Sequence, residues 1–365
     1  MFTLTDEHRM LQDSARDFVR DKLPVAVLRG VRDSKNADGF DRALWAEMAA
    51  MGWTGIIVPE AHGGAGLGYR GLGLVLEETG RTLAPSPLLS TAMIGATALV
   101  RGGSEAMRAT WLPKIADGSA IVALAVDEGA HHAPAKTKLT ADGDGDAVTL
   151  KGAKDYVADG QTADLLLVVA RGKGGLVLVA VEANAVGVTR KTLKTVDSRG
   201  AADITFDGAK GVVLGDEKLV ERVLDAARIG LAAEMLGTAT QGFEITAEYL
   251  KTRTQFGQLI GSFQALQHRA GKMLVDLELT RSCVLAALAA LEEDRKEVAE
   301  LASLAKARAA ETLHTVSNEM VQMHGGIGMT DAHDSGLYMK RARVAEALYG
   351  SAGFHRDRYA TLQGF

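Results

Sequence analysis

Apolar residues recur at helical spacing through the first third of the chain. Leu11, Ala15, Phe18 and Val19 share one face with charged residues opposite, and Leu44, Met48 and Met51 repeat the pattern up to Gly52. The spacing predicts helices to about residue 118, interrupted by the glycine-rich stretch Pro59 to Gly68. Such a loop can cradle phosphate, but no clear strand precedes it and no P-loop lysine follows, so it is read as a connector into a helix around Glu77-Glu78. From about Ser119 to Asp216 the period changes. Ile121–Val126, Leu165–Ala170 and Leu176–Val181 are short β-rich runs, separated by turn signals at Asp142-Gly143-Asp144-Gly145 and Lys173-Gly174-Gly175. These strands do not alternate with helices, which points to a small barrel or sandwich and excludes a doubly wound nucleotide fold. Beyond Asp216, long helices are expected over about 218–251, 262–293 and 296–324. A last one runs from about Asp334 to Leu362, weakened by Gly350 and Gly353. The expected organisation is therefore an N-terminal α-helical domain (1–118), a middle β domain (119–216) and a C-terminal four-helix bundle (217–365).

Composition narrows the class. A chain of 365 residues supports two or three domains, and 47% apolar with 24% charged residues is ordinary for a globular protein. A net charge of -5 argues against nucleic acid or an anionic membrane as the main partner. The single cysteine, Cys283, excludes an internal disulfide and is read as buried filler, and no Cys/His spacing suggests a metal site. Met1 to Arg20 contains no apolar leader segment and no run of 18 apolar residues occurs, so a cytoplasmic location without membrane insertion is expected.

Two stretches carry chemistry. Thr252-Arg253-Thr254-Gln255-Phe256-Gly257 sets an Arg, an amide, a ring and a Gly at a corner between two helices. Arg suits a bidentate grip on phosphate, and Gly lets the chain turn where a Cβ would obstruct. Alone, the motif fits a solvated surface turn equally well. The second stretch, Gln322-Met323-His324-Gly325-Gly326-Ile327-Gly328, changes that balance.

The order helical, β, helical, with Arg253-x-Gln255-Phe256-Gly257 and Gln322-x-x-Gly325-Gly326-x-Gly328, resembles the acyl-CoA dehydrogenase family over essentially the whole chain. Glu77-Glu78-x-Gly80-Arg81 and Leu112-Pro113-x-Ile115-Ala116-x-Gly118 extend the likeness. The resemblance implies a tetrameric FAD enzyme, homo- or heteromeric, of lipid or steroid catabolism, which dehydrogenates an acyl-CoA thioester at its α,β bond and passes electrons to an electron-transfer flavoprotein. It implies that Arg253, Gln255 and Phe256, with Gln264 near them, meet the pyrophosphate and adenine side of FAD across a subunit interface. Gln322, Gly325 and Gly326 would approach its ADP portion, and Ser351 is a further cofactor residue. Val126, Asp127, Tyr156 and Ala158 would stand on the flavin side. Here the chain departs from the family pattern: Asp127 replaces a Thr, Tyr156 a Trp, and Ala158 lacks the hydroxyl expected near flavin N5.

The largest departure concerns the catalytic base. The two positions where the family carries a Glu hold Tyr349 and Ala227. Arg228 matches the family Arg and is a substrate-pocket candidate, and Glu234, in apolar company on the same helix, is a weak candidate base. Three readings stay open: a complete enzyme with a displaced base, a non-catalytic or FAD-sharing subunit whose paralogous partner supplies the Glu, and another flavin oxidation, such as that of nitroalkanes, on the same scaffold.

Overall fold

The computed structural model describes residues 4–365. The chain forms two compact units that do not follow sequence order. One comprises the N-terminal residues up to Val25 with Gly73–Ala84 and Arg228–Phe365, and the other comprises Ala26–Leu72 with Pro85–Ala227.

The helices before the sheet are α1 (Asp6–Lys22), α2 (Val25–Ser34), α3 (Arg42–Ala50), α4 (Gly68–Arg81), α5 (Ala96–Gly102) and α6 (Glu105–Ala116). Their starts follow sequence signals: Thr5, Asp41 and Ser104 cap α1, α3 and α6 through side-chain oxygens that accept from first-turn N–H groups. The glycine-rich stretch is a connector, as expected. Its Ala65, Gly66 and Leu67 N–H groups donate to the carbonyls of Gly55, Val58 and Ile56, which leaves them unavailable to an anion.

The strands are β1 (Val122–Ala125), β2 (Thr140–Asp142), β3 (Ala147–Ala158), β4 (Leu165–Gly172), β5 (Gly175–Glu182), β6 (Val188–Thr192) and β7 (Ala201–Asp216). The pairing path β4–β2–β3–β7–β5 returns to β4, so these five strands close a ring, with β1 beside β4 and β6 beside β7. Closure removes exposed edges. The inward set includes Leu150, Val157, Leu166, Val168, Val179, Ile204 and Phe206, each at most 1% exposed.

The remaining elements are α7 (Glu217–Thr252), β8 (Thr254–Gln255), β9 (Gln258–Leu259), α8 (Gln264–Glu292), α9 (Val298–His324), α10 (Ser335–Ala347) and α11 (Ala352–Leu362). Helix α9 packs against α8, α10 and α11. Small residues on it, among them Ala302, Ala305, Ala309 and Ala310, let the neighbours approach closely. The single last helix expected from Asp334 to Leu362 is two helices. Tyr349 and Gly350 take positive φ values of 57 and 111, and this ends α10 and redirects the chain into α11. Where α4 meets α7 two glycines are required: a Cβ at Gly80 would lie 2.1 Å from the Glu234 carbonyl oxygen, and one at Gly237 would lie 1.7 Å from that of Glu77. Glu77 and Glu78 are buried beside this crossing and bonded to Arg281 at 2.5 Å and Arg16 at 2.8 Å. Burial raises the Glu77 pKa, and Arg281 opposes that rise. Cys283 is half-buried, because its face of α8 is only partly covered. Among the described residues no helix is long and apolar enough to cross a membrane, and no cluster of side chains could hold a metal ion.

Candidate cofactor and catalytic site

The Arg253 stretch folds as a two-residue hairpin. β8 and β9 pair Thr254 with Leu259 and Gln255 with Gln258. Phe256 and Gly257 form its tip with φ values of 55 and 79, both in the left-handed region a tight hairpin demands. Phe256 is 90% exposed despite being apolar, its ring edge-on to Phe263 at 6.1 Å. Arg253, Gln255 and Gln264 are exposed around it.

The second stretch ends α9 at the same end of the bundle. Tyr249, one turn before Arg253, stacks on His324 at 4.3 Å, and His324 stacks on His333 at 4.2 Å. His324 Nδ1 donates to the Met320 carbonyl at 2.7 Å, and burial lowers the imidazole pKa, so the ring is held neutral. Gly325 then turns at φ 64, ψ -137, a conformation only glycine adopts readily. Gln322, Gly325 and Gly326 are exposed, and a Cβ on either glycine would meet no atom within 4 Å. The structure thus brings a guanidinium, three amides, an exposed ring and an uncovered glycine backbone to one end of the helices. Anion-pairing Arg and approachable backbone fit the ADP portion of FAD.

The β domain fits the flavin portion poorly. The Val126 carbonyl is taken by Lys154 Nζ at 2.7 Å. Asp127 turns its carboxylate to His132 Nδ1, 2.9 Å, and to the Ala133 N–H, 3.3 Å. That carboxylate adds negative charge where the family pattern has a neutral hydroxyl. Tyr156 sits at φ 49, strained for an aromatic residue, with its N–H donating to Asp203 Oδ1 at 3.2 Å. Ala158 is partly buried and has no donor to offer.

Beneath these segments lies a pair that the sequence reading passed over. Lys154 is fully buried, and its Nζ donates to Glu128 Oε1 at 2.8 Å as well as to Val126. Burial lowers the Lys154 pKa, and the charge of Glu128 limits the fall. Burial pushes the Glu128 pKa up, but Lys154 and the Leu139 and Lys138 N–H groups outweigh that and leave it below the ordinary value. A signal existed in the alternation of β3, where Val148, Leu150 and Lys154 share the inward parity.

Both positions that should carry the base are enclosed. Ala227 is fully buried, and Tyr349 is 3% exposed. The Tyr349 carbonyl accepts from His355 Nε2 at 3.1 Å and from Arg228 Nε at 3.5 Å. Lys306 Nζ donates to the Gly350 carbonyl at 3.0 Å and to that of Glu346 at 3.3 Å. Burial brings the Lys306 pKa down to about 7, helped by Arg228 and Arg341 and opposed by Glu346. Burial, with nearby Lys306 and Arg228, takes His355 down to about 2. Where the family pattern puts a carboxylate, this chain has Arg228, Lys306 and His355 holding a turn through its backbone carbonyls.

The geometry bears on two further candidates. Arg228, proposed for the substrate pocket, is fully buried in the isolated chain and stacked on Phe354 at 5.6 Å, so no dissolved molecule touches it. Glu234, the weak candidate base, is bonded by both Arg341 Nε at 3.0 Å and Nη2 at 2.9 Å. Both nitrogens converge on Oε1, so that oxygen is held in a charge-assisted pair. Ser351 is exposed, caps α11 by accepting from the Phe354 N–H, and lines a cavity of about 580 Å³ with residues of α9, α10 and α11.

Comparison with known proteins agrees with this architecture. Three family models match in order: acyl-CoA dehydrogenase N-terminal domain over residues 5–119, middle domain over 126–209 and C-terminal domain over 218–361. The acyl-CoA dehydrogenase IpdE2 of Mycobacterium tuberculosis is 31% identical, covering 96% of this chain and 95% of its own length. The acyl-CoA dehydrogenase FadE27 of the same organism is 30% identical over 86% of each. Among solved structures, a Tcur3481-Tcur3483 steroid ACAD variant superposes with a TM-score of 0.93 at 34% identity, covering 99% of this chain and 98% of that one. The ChsE4-ChsE5 complex from M. tuberculosis gives 0.93 at 28% identity, with 100% and 99% covered. The chain belongs to the acyl-CoA dehydrogenase family, oxidoreductases that act on CH–CH groups of acyl-CoA and are FAD-dependent in general.

Proposed function

We propose that this chain is the FAD-sharing subunit of a heteromeric acyl-CoA dehydrogenase, in which a paralogous chain supplies the catalytic carboxylate. The observation that carries it is the contrast within one molecule. The ADP-side residues Arg253, Gln322, Gly325 and Gly326 stand open, while Tyr349 and Ala227 are enclosed and carry no acid. Bound FAD supplies the hydride acceptor. This chain's part is to pair Arg253 with the pyrophosphate, to present the Gly325–Gly326 backbone to the ADP portion, and to cover one side with Phe256. The exposed apolar residues Leu274, Val275 and Leu279 on α8, 47%, 59% and 52% accessible, suit an assembled state. Two structural relatives are titled as two-component assemblies, and one as a steroid enzyme, which supports a steroid- or lipid-derived acyl-CoA as substrate. Electron-transfer flavoprotein is the acceptor in this reading.

The test is an absorbance spectrum followed by anaerobic addition of acyl-CoA esters, on the chain alone and co-expressed with its paralogue. Flavin that bleaches only in the co-expressed sample is expected. Stoichiometric bleaching by the lone chain would overturn the proposal and return attention to a displaced base, with Glu234→Gln as the following variant.

A further inference from the structure

A second site lies far in sequence from the cofactor residues. The loop after α2 and the loop joining β6 to β7 enclose a cavity of about 470 Å³, within one compact unit. Four cationic residues line it: Arg32 from the last turn of α2, Lys35 from the loop after it, and Lys194 and Arg199 from the other loop. No acidic residue is among its lining residues. Asp33 pairs with Arg32 Nε at 2.7 Å and so offsets that one charge, while buried Asp197 accepts from the Arg199 N–H at 3.4 Å.

The two loops are fixed against each other. A Cβ on Gly39 would lie 2.5 Å from the Gly200 nitrogen, and Gln161 Nε2 ties the Asp38 carbonyl at 2.7 Å. Lys35 and Ser198, both at the cavity, hold φ values of 53 and 62. Non-glycine residues in that region cost on the order of 1 kcal/mol each and persist where the surroundings enforce them. The backbone that carries Lys35, Lys194 and Arg199 is therefore held in place by the fold.

We propose that this cavity binds a phosphorylated small molecule of nucleotide size. The charge selects a phosphate, since Arg presents paired N–H groups and Lys a point charge to its oxygens. The size admits more than phosphate alone, because a volume in this range accommodates a body of many heavy atoms. Val31 and Leu193 supply an apolar wall against which a flat body rests. The site is independent of the FAD residues: none of its lining residues belongs to the Arg253, Gln322 or Asp127 groups.

Isothermal titration of the purified full chain with ADP and with inorganic phosphate, at low and moderate salt, tests this. Saturable ADP binding is expected, tighter than phosphate and weakened by salt. The double variant Lys35→Glu/Lys194→Glu changes two exposed residues and is expected to weaken ADP at least tenfold with an unchanged melting temperature. An ADP isotherm in the double variant identical in stoichiometry and affinity to that of the unaltered chain, or no binding of either probe, overturns the site. Phosphate binding as tightly as ADP overturns the nucleotide-sized class. If the double variant fails to fold, Lys194→Gln alone is read in the same way, with a threefold or greater weakening expected and unchanged affinity overturning the proposal.

Discussion

At the scale of single residues, the buried lysines decide more than the motif residues do. Lys154 holds the Val126 carbonyl and the Glu128 carboxylate. Its replacement by Met keeps the volume but leaves Glu128 without its counter-charge. Removing one partner of a buried pair costs about 3 kcal/mol or more, and urea denaturation is expected to show a loss of that order. Lys306 makes a sharper case through pH. Its pKa is about 7 in the folded chain, against about 10.4 unfolded, so between those values the unfolded chain holds more protons and stability rises with pH. The slope from this one group is at most ~1.4 kcal/mol per pH unit. His355, at about 2 when folded and about 6.5 unfolded, works in the same direction in acid: stability falls as pH drops from about 6.5. Lys306→Met is therefore expected to cost most at pH 9 and progressively less toward pH 6.5. Urea midpoints across that range check it, and a pH-independent cost would contradict the assigned protonation.

At the scale of elements, close backbone contact explains what composition could not. The α4–α7 crossing tolerates no side chain at Gly237, whose added Cβ would sit 1.7 Å from a carbonyl oxygen. Backbone cannot yield as a flexible side chain can, so Gly237→Ala is expected to destabilise by about 3 kcal/mol or more, although alanine is the better helix former. Thermal denaturation beside Gly271→Ala, at a helical position where a Cβ meets nothing, isolates the effect. Helices with long apolar stripes were legible, and so were β4 and β5, because continuous apolar runs need no partner to be recognised. The longest strands, β3 and β7, were not: their polar outward residues and glycines make sense only once each lies between two neighbours in a closed ring. The break between α10 and α11 hid for a related reason. Gly350 was visible as a weak point, but the turn is held by Lys306, Arg228 and His355, which lie 44, 121 and 6 positions away. That the Arg253 and Gln322 stretches end up exposed followed from glycine, Arg and an apolar ring at helix ends, a local pattern. The burial of Arg228 and the Arg341 grip on Glu234 are tertiary facts with no local signature.

At the scale of the whole molecule, the proposed division of the flavin site can be tested by substitution within the assembled enzyme. If the proposed sharing holds, the flavin in the complex depends on what this chain presents outward and not on its own β domain. A charge-assisted bond between Arg and a phosphate is worth roughly 1.5–3 kcal/mol, so Arg253→Ala in the co-expressed complex is expected to weaken FAD retention on the order of tenfold to a hundredfold. Arg253 is exposed on the hairpin side, so the fold should survive. Asp127→Asn with Ala158→Thr restores family-like neutrality and a hydroxyl on the β-domain side, and it is expected to leave FAD content unchanged within about twofold. Dialysis against FAD-free buffer, with flavin per complex read by absorbance, separates the two. The reverse pattern, with retention insensitive to Arg253 and altered by the β-domain pair, would show that this chain cradles the isoalloxazine itself. The enclosed turn at Tyr349 would then have to be explained in a subunit that holds its own flavin without a base.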